Sequence, residues 1–118
     1  MSYDISLLDP VTRQTIQLDA KHQMGGGTYQ VGGTTEAWLN VTWNYGDRFY
    51  RVFGELGIRT IYGKTGAESV PVLLNAIAQL SDDVDDDYWK STDGNAKRAL
   101  TQLLALAQLR PDGVWSGD

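Results

Sequence analysis

Aromatic and arginine residues are interleaved along one short stretch of this chain. Seven of the twelve Trp, Tyr and Phe residues fall within residues 38–62, together with Arg48, Arg51 and Arg59. Aromatic rings stack on planar groups, and a guanidinium binds a phosphate through paired hydrogen bonds. This composition favours a planar or phosphorylated ligand, although the same residue types also suit a core with its rim or an interface with another protein.

The ligand hypothesis selects a set of aromatic and basic residues. Its aromatic members would stack on a base, and its basic members would bind phosphate. The candidate ligand-binding residues are Trp43, Tyr45, Arg48, Tyr50, Arg51, Lys64, Thr65 and Arg98. The sequence predicts no catalytic residue, no metal ligand and no cofactor.

Gly63-Lys64-Thr65 resembles the end of a phosphate-binding P-loop. That motif needs a second glycine five positions before Gly63, where this chain has Ile58. A weaker alternative is that Lys64, Thr65 and nearby backbone amides hold a phosphate at the N-terminus of a helix. The favoured interpretation is a plain loop that enters a capped helix.

The acidic run at residues 82–87 suggests calcium, but an EF-hand loop beginning at Asp83 fails at two diagnostic positions. Tyr88 stands where the motif needs glycine, and Gly94 stands where it needs glutamate. We therefore expect a solvated connection between helices. A single histidine, His22, and the absence of cysteine also leave few ways to build a metal site or a catalytic triad.

Period-two hydrophobic patterns predict strands in the first half of the chain. We expect a hairpin in which Tyr3 to Leu8 pairs with Gln14 to Leu18 across a turn at residues 9–12. A short strand at residues 28–31 would follow, between two groups of glycines. The clearest alternation runs from Ala37 to Tyr45 and predicts one longer strand.

Helical spacing replaces this pattern after Gly46. We expect a short helix from Asp47 to Phe53, one capped by Ser69, and one from about Asn95 to Leu109 capped by Thr92 or Asp93. The buried stripe expected of the second helix is Val70, Leu73, Leu74, Ile77 and Leu80, and that of the third is Ala99, Leu100, Leu103, Leu104 and Ala107.

The order of these elements predicts an α+β fold, in which an N-terminal antiparallel β-sheet packs against two or three C-terminal helices. The length of 118 residues suits a single domain spanning residues 1–118. A net charge of −5 argues against general nucleic-acid binding, and no apolar run is long enough for a membrane span. We expect a cytoplasmic protein, and homo-oligomer formation is left open.

Five segments together resemble a family of short uncharacterised phage and bacterial proteins. They are TTEAWLNVTWNYG (34–46), YGKTGAES (62–69), DDYWK (86–90), GNAKRAL (94–100) and RPDGVWSGD (110–118). The resemblance implies a phage or bacterial setting, in which a small protein without catalytic residues binds either a host signalling nucleotide or a host protein. The leading hypothesis is a non-catalytic binding protein that holds a small phosphorylated or nucleotide-like ligand, with sequestration of a host defence signal as one use of that binding. The alternative is an interaction module that inhibits or adapts a host protein, and a small hydrolase ranks third.

Overall fold

The computed structural model describes residues 1–23 and 32–118, and these residues adopt an α+β fold. The antiparallel sheet and the helices predicted from the sequence are present. In chain order the elements are β1 (Ser2–Leu8), β2 (Gln17–His22), β3 (Thr34–Glu36), β4 (Trp38–Thr42), α1 (Gly46–Phe53), α2 (Gly66–Ala78), α3 (Asp93–Leu109) and β5 (Val114–Gly117). Two 3-10 turns, at Trp43–Tyr45 and Gly57–Ile61, flank α1.

Strand β1 is the centre of a three-stranded antiparallel sheet with the order β4-β1-β5. Tyr3 lies opposite Val41 of β4, and Leu7 lies opposite Trp115 of β5. Because side chains alternate across a strand, Tyr3, Ile5 and Leu7 all point to one face, and all three are buried in the core. The period of two therefore decides which face of the sheet the helices cover.

The predicted hairpin is correct at its turn and at the first pair beyond it, where Leu8 pairs with Thr15 and the Ile16 amide donates to the Leu7 carbonyl, but β2 does not continue this pairing. The amide of Asp9 donates to the carbonyl of Gln14 at 2.8 Å, which closes the turn. The returning strand β2, however, starts only at Gln17 and pairs with β3 in a separate ladder. Both edges of β1 are already paired with β4 and β5, so little of β1 remains for β2. The strand expected at residues 28–31 lies outside the described residues.

Strand β4 ends earlier than its hydrophobic alternation predicts. Thr42 caps the 3-10 turn that follows, because its side-chain oxygen accepts a hydrogen bond from the amide of Asn44. Residues in this turn no longer alternate between two faces. Trp43 is therefore 42% exposed and Tyr45 is 1% exposed, although the sequence pattern placed both on the same face.

Helix α1 matches its predicted bounds closely, whereas α2 starts before the predicted cap. Thr65 caps α2 through a capping box in which Thr65 and Glu68 bond each other's backbone amides. Ser69 lies inside the helix, where its hydroxyl donates to the carbonyl of Gly66. The Thr-x-x-Glu pattern satisfies two amides, which a cap at Ser69 cannot match. Leu74, which was predicted to be buried, is 49% exposed, whereas Leu73 and Leu80 are in the core.

Helix α3 is capped by Thr92, one of the two predicted caps, and buries Leu103 fully. The chain then turns into β5, where Trp115 is buried and its indole N–H donates to the Ser69 hydroxyl at 2.8 Å. This hydrogen bond links β5 to α2. Among the described residues no helix is both long and apolar enough to cross a bilayer.

Candidate functional site

Tyr45, one of the candidate stacking residues, is part of the core. Its ring packs edge-on against Phe49 and Tyr88, and its hydroxyl donates to the backbone carbonyl of Tyr88. Burial raises the pKa of the Tyr45 hydroxyl, so the phenol stays protonated as a donor. With 1% of its surface exposed, Tyr45 offers no ring face to a base.

Arg48 and Arg51 lie one turn apart on α1 and both bind Asp93, the first residue of α3. The distances are 3.3 Å from Arg48 Nε and 2.6 Å from Arg51 Nη2 to the two Asp93 carboxylate oxygens. Arg48 also reaches Asp47 at 2.6 Å and the Ser91 hydroxyl at 3.1 Å. The guanidinium groups thus fasten α1 to the N-terminus of α3.

The Asp93 carboxylate is held in its charged form by these contacts. Hydrogen bonding from Arg51 is the largest influence and keeps the pKa of Asp93 below its ordinary value, with further donation from the Ser81 amide and from Arg48. A phosphate at this position would compete with Asp93 for both arginines. The phosphate would also be repelled by the negative charge of Asp93, whose side chain is 18% exposed.

Lys64 and Thr65 stand at the N-terminus of α2, where Glu68 already occupies the position of an anion. The Thr65 amide donates to Glu68 Oε1 at 2.9 Å, and this bond is the main reason that the pKa of Glu68 is lowered. The Glu68 carboxylate therefore already provides the negative charge that the N-terminal end of the helix dipole favours.

Arg98 lies on the exposed surface of α3, far from Lys64. The start of α2 packs beside Ala107 and Arg110, since the amide of Ala67 bonds the carbonyl of Pro111 and a Cβ on Gly66 would meet the carbonyls of Arg110 and Ala107. Nine to twelve helical residues separate Arg98 from that end, or about 14–18 Å of rise. Lys64 and Arg98 therefore lie at different ends of α3, and the predicted basic residues do not all meet at one site.

Trp43 and Tyr50 do come together, on either side of Tyr3. The rings of Trp43 and Tyr3 lie 5.9 Å apart, and a Cβ placed on Gly46 would approach both the Tyr3 hydroxyl and the Tyr50 ring. Trp43 is 42% exposed and Tyr50 is 48% exposed; Leu56, which is 63% exposed, directly precedes Gly57, whose backbone packs against the Tyr50 ring. We call Trp43, Tyr50 and Leu56 the aromatic surface.

Two further contacts involve the rings of Tyr50 and of Tyr3, which packs against Trp43. Gly57, which has a positive φ of 57°, leaves room for the Tyr50 ring, because a Cβ at this position would lie 3.0 Å from it. The Arg59 guanidinium lies 5.1 Å from the centre of the Tyr3 ring and donates to the backbone carbonyl of Asp118. Sequence reasoning did not select Tyr3 or Leu56, although the core-facing alternation of β1 is a signal for Tyr3.

The aromatic surface does not line either of two cavities elsewhere on the described protein. One, of about 270 Å³, lies between β2 and the end of α3, and the other, of about 410 Å³, lies beside β5. Small ligands are usually bound in clefts that enclose most of their surface. An open surface with large apolar side chains is more typical of contacts between proteins.

The acidic run between α2 and α3 forms contacts within the protein. Lys97 pairs with Asp82 at 2.7 Å, and Lys90 pairs with Asp85 at 3.4 Å. Asn95 holds the same loop through its side chain, which bonds the backbone of Asp85. Over residues 1–23 and 32–118, no group of three or more His, Cys, Asp or Glu side chains is arranged to hold a metal ion.

Comparison of the chain with protein-family models, curated proteins and solved structures gives no match.

Proposed function

We propose that this chain is a non-catalytic binding protein that contacts another protein through the aromatic surface. The observation that carries the proposal is the exposure of two large aromatic side chains, Trp43 and Tyr50, which both contact Tyr3. Trp and Tyr are enriched at the energetic centres of protein interfaces, where they bury large areas on association. In the phage setting that the family resemblance implies, the partner is a host protein.

The rigidity of the aromatic surface supports the proposal. Trp43 and Tyr50 both contact the core residue Tyr3, and Gly57 accommodates the ring of Tyr50 closely. Side chains that are ordered before association lose less conformational entropy when a partner binds. Leu56, next to Gly57 in the chain, adds a further exposed apolar side chain.

The phosphorylated-ligand hypothesis for the predicted residues remains a prediction, and the structure gives it less support. Arg48 and Arg51 already bind Asp93, Glu68 occupies the start of α2, and Tyr45 is buried. A ligand at these groups would have to displace existing partners. Arg98 alone among the basic candidates of α1 and α3 forms no contact of this kind within the described residues.

The test is capture of a partner by the purified protein from a lysate of its own host, compared across three variants. Trp43→Ala and Tyr50→Ala should each lose the captured protein, because both rings would be buried in the interface. Leu74→Ala is the matched control, since Leu74 is similarly exposed but lies on α2. It should retain the partner. Thermal unfolding of each variant shows that the loss does not come from unfolding.

Two outcomes would contradict the proposal. One is equal capture by the wild type and both aromatic variants. The other is a nucleotide from a panel of mono-, di- and cyclic nucleotides that raises the melting temperature, with the increase lost in Arg51→Ala or Arg98→Ala. Sedimentation analysis separates a third case: self-association abolished by Trp43→Ala would identify the partner as a second copy of the chain.

A further inference from the structure

A groove of about 410 Å³ follows strand β5, separate from the aromatic surface. Its volume falls within the usual range for small-molecule sites. The lining residues that matter here are Leu8, Arg13, Tyr62, Gly63, Val114 and Ser116. Among the described residues that line the groove there is no aspartate or glutamate, and Arg13 is the charged residue.

Arg13 supplies the charge of the groove. Within the described residues it is the sole non-glycine residue with a positive φ, at 62°, and its amide bonds the carbonyl of Asp9. A left-handed backbone is unfavourable for a residue with a Cβ, and here it belongs to the turn that the Asp9 amide closes with the Gln14 carbonyl. Arg48, Arg51 and Arg110 bind carboxylates, whereas Arg13 forms no ion pair with any described residue.

Polar and apolar groups suitable for a ligand lie beside Arg13. The hydroxyl of Ser116 makes no hydrogen bond within residues 1–23 and 32–118. Gly63, with a φ of 85°, has open space where a Cβ would stand, so a ligand can approach its backbone. Leu8, Val114 and Tyr62 give the groove an apolar wall.

We propose that this groove binds a small molecule that carries a phosphate monoester on an aromatic or apolar body. The Arg13 guanidinium would pair two N–H groups with the phosphate oxygens, and the Ser116 hydroxyl would donate a further hydrogen bond. Leu8, Val114 and Tyr62 would contact the body of the ligand. The proposal is independent of the aromatic surface and places a phosphorylated ligand at residues other than those predicted from the sequence.

Phenyl phosphate is the probe, with phenol, benzoate and inorganic phosphate as comparisons, each titrated into isotope-labelled protein and followed by the amide resonances. Phenyl phosphate should shift the amides of Gly63 and Ser116 and saturate at a concentration at least roughly tenfold lower than phenol or inorganic phosphate. Benzoate distinguishes a carboxylate from a phosphate as the favoured oxyanion. Saturation at equal concentrations for phenyl phosphate and phenol would overturn the role of the charge.

Arg13→Gly is the decisive variant, because glycine accepts the positive φ and the substitution removes the side chain with its guanidinium. Its melting temperature should equal or exceed that of the wild type, while its affinity for phenyl phosphate falls by about tenfold or more. Arg98→Ala, which removes an exposed arginine on α3, should leave the affinity unchanged. Unchanged binding by Arg13→Gly, or shifts centred on Trp43 and Tyr50, would refute the proposal.

Discussion

Replacing Asp93 with asparagine tests the junction between α1 and α3. The carboxylate accepts hydrogen bonds from Arg48 Nε at 3.3 Å, Arg51 Nη2 at 2.6 Å and the Ser81 amide at 3.2 Å. The asparagine side chain keeps an acceptor oxygen but removes the charge that both arginines share. The substitution therefore weakens three bonds at once without changing the size of the side chain.

The expected loss follows from the exposure of the three groups. Hydrogen bonds to buried charged groups contribute about 1.5–3 kcal/mol, and exposed ion pairs contribute about 0.2–1 kcal/mol. Asp93 and Arg48 are 18% and 28% exposed, whereas Arg51 is 53% exposed, so the Arg51 pair contributes near the lower limit. We expect Asp93→Asn to lower the free energy of unfolding by about 2 kcal/mol, equivalent to about 1 M in the urea midpoint.

Asp82→Asn is the matched control. Asp82 also binds one basic partner, Lys97, but 91% of its side chain is exposed, so its loss should leave the urea midpoint unchanged. If Asp93→Asn and Asp82→Asn shift the midpoint equally, the network does not stabilise the junction and the reasoning is wrong.

The pH dependence gives a second check on the same substitution. The pKa of Asp93 is lowered in the folded protein, chiefly by Arg51, so its stabilising effect is present above the ordinary aspartate value. It is lost as the pH falls through the lowered pKa. The difference in unfolding free energy between wild type and Asp93→Asn should be constant near neutral pH and shrink below about pH 4. A difference that persists undiminished at pH 2 would contradict the charge-based explanation.

Three further predictions concern the core, the cap of α2 and the acidic run. Leu103→Ala should lower the free energy of unfolding by about 2–5 kcal/mol in urea titration, because Leu103 is fully buried; an unchanged midpoint would contradict its place in the core. Thr65→Ala should cost about 1 kcal/mol through loss of the capping box, while Thr101→Ala, on an exposed helix position, should cost little; equal effects would show that the cap is unimportant. Millimolar Ca²⁺ should raise the melting temperature no more than Mg²⁺ does, since the acidic run lacks both diagnostic EF-hand residues; a calcium-specific increase would contradict this.

Local patterns predicted most of the elements, and they failed where a second local signal competed. The alternation from Ala37 to Tyr45 predicted one strand over the whole segment, but the strand ends at Thr42, which caps a 3-10 turn. Ser69 suggested a helix start, whereas Thr65 and Glu68 form the stronger cap one turn earlier. In both cases the polar residue that sets the boundary was missed.

Local sequence patterns do not predict which side chains will pair when the two residues are far apart in the sequence. Arg48 and Arg51 were predicted to bind phosphate, whereas in the structure both bind Asp93, which lies more than forty residues later. The sequence shows an arginine in the same way whether its side chain binds a phosphate or a carboxylate of the same chain. Arg13 was not selected, because its distinguishing feature is a backbone angle that the sequence does not encode in any simple pattern.

The central position of β1 has a consequence for the order in which the chain is made and folded. β4 is synthesised within the first half of the chain, so one edge of β1 finds its partner early, while the other edge pairs with β5, where Leu8 meets Val114. Translation of the intervening residues takes about 4–15 s at ordinary elongation rates. During that interval β1 presents an unsatisfied edge and the apolar side chains that Trp115 later covers. The three-stranded sheet therefore cannot be completed until β5 has been synthesised.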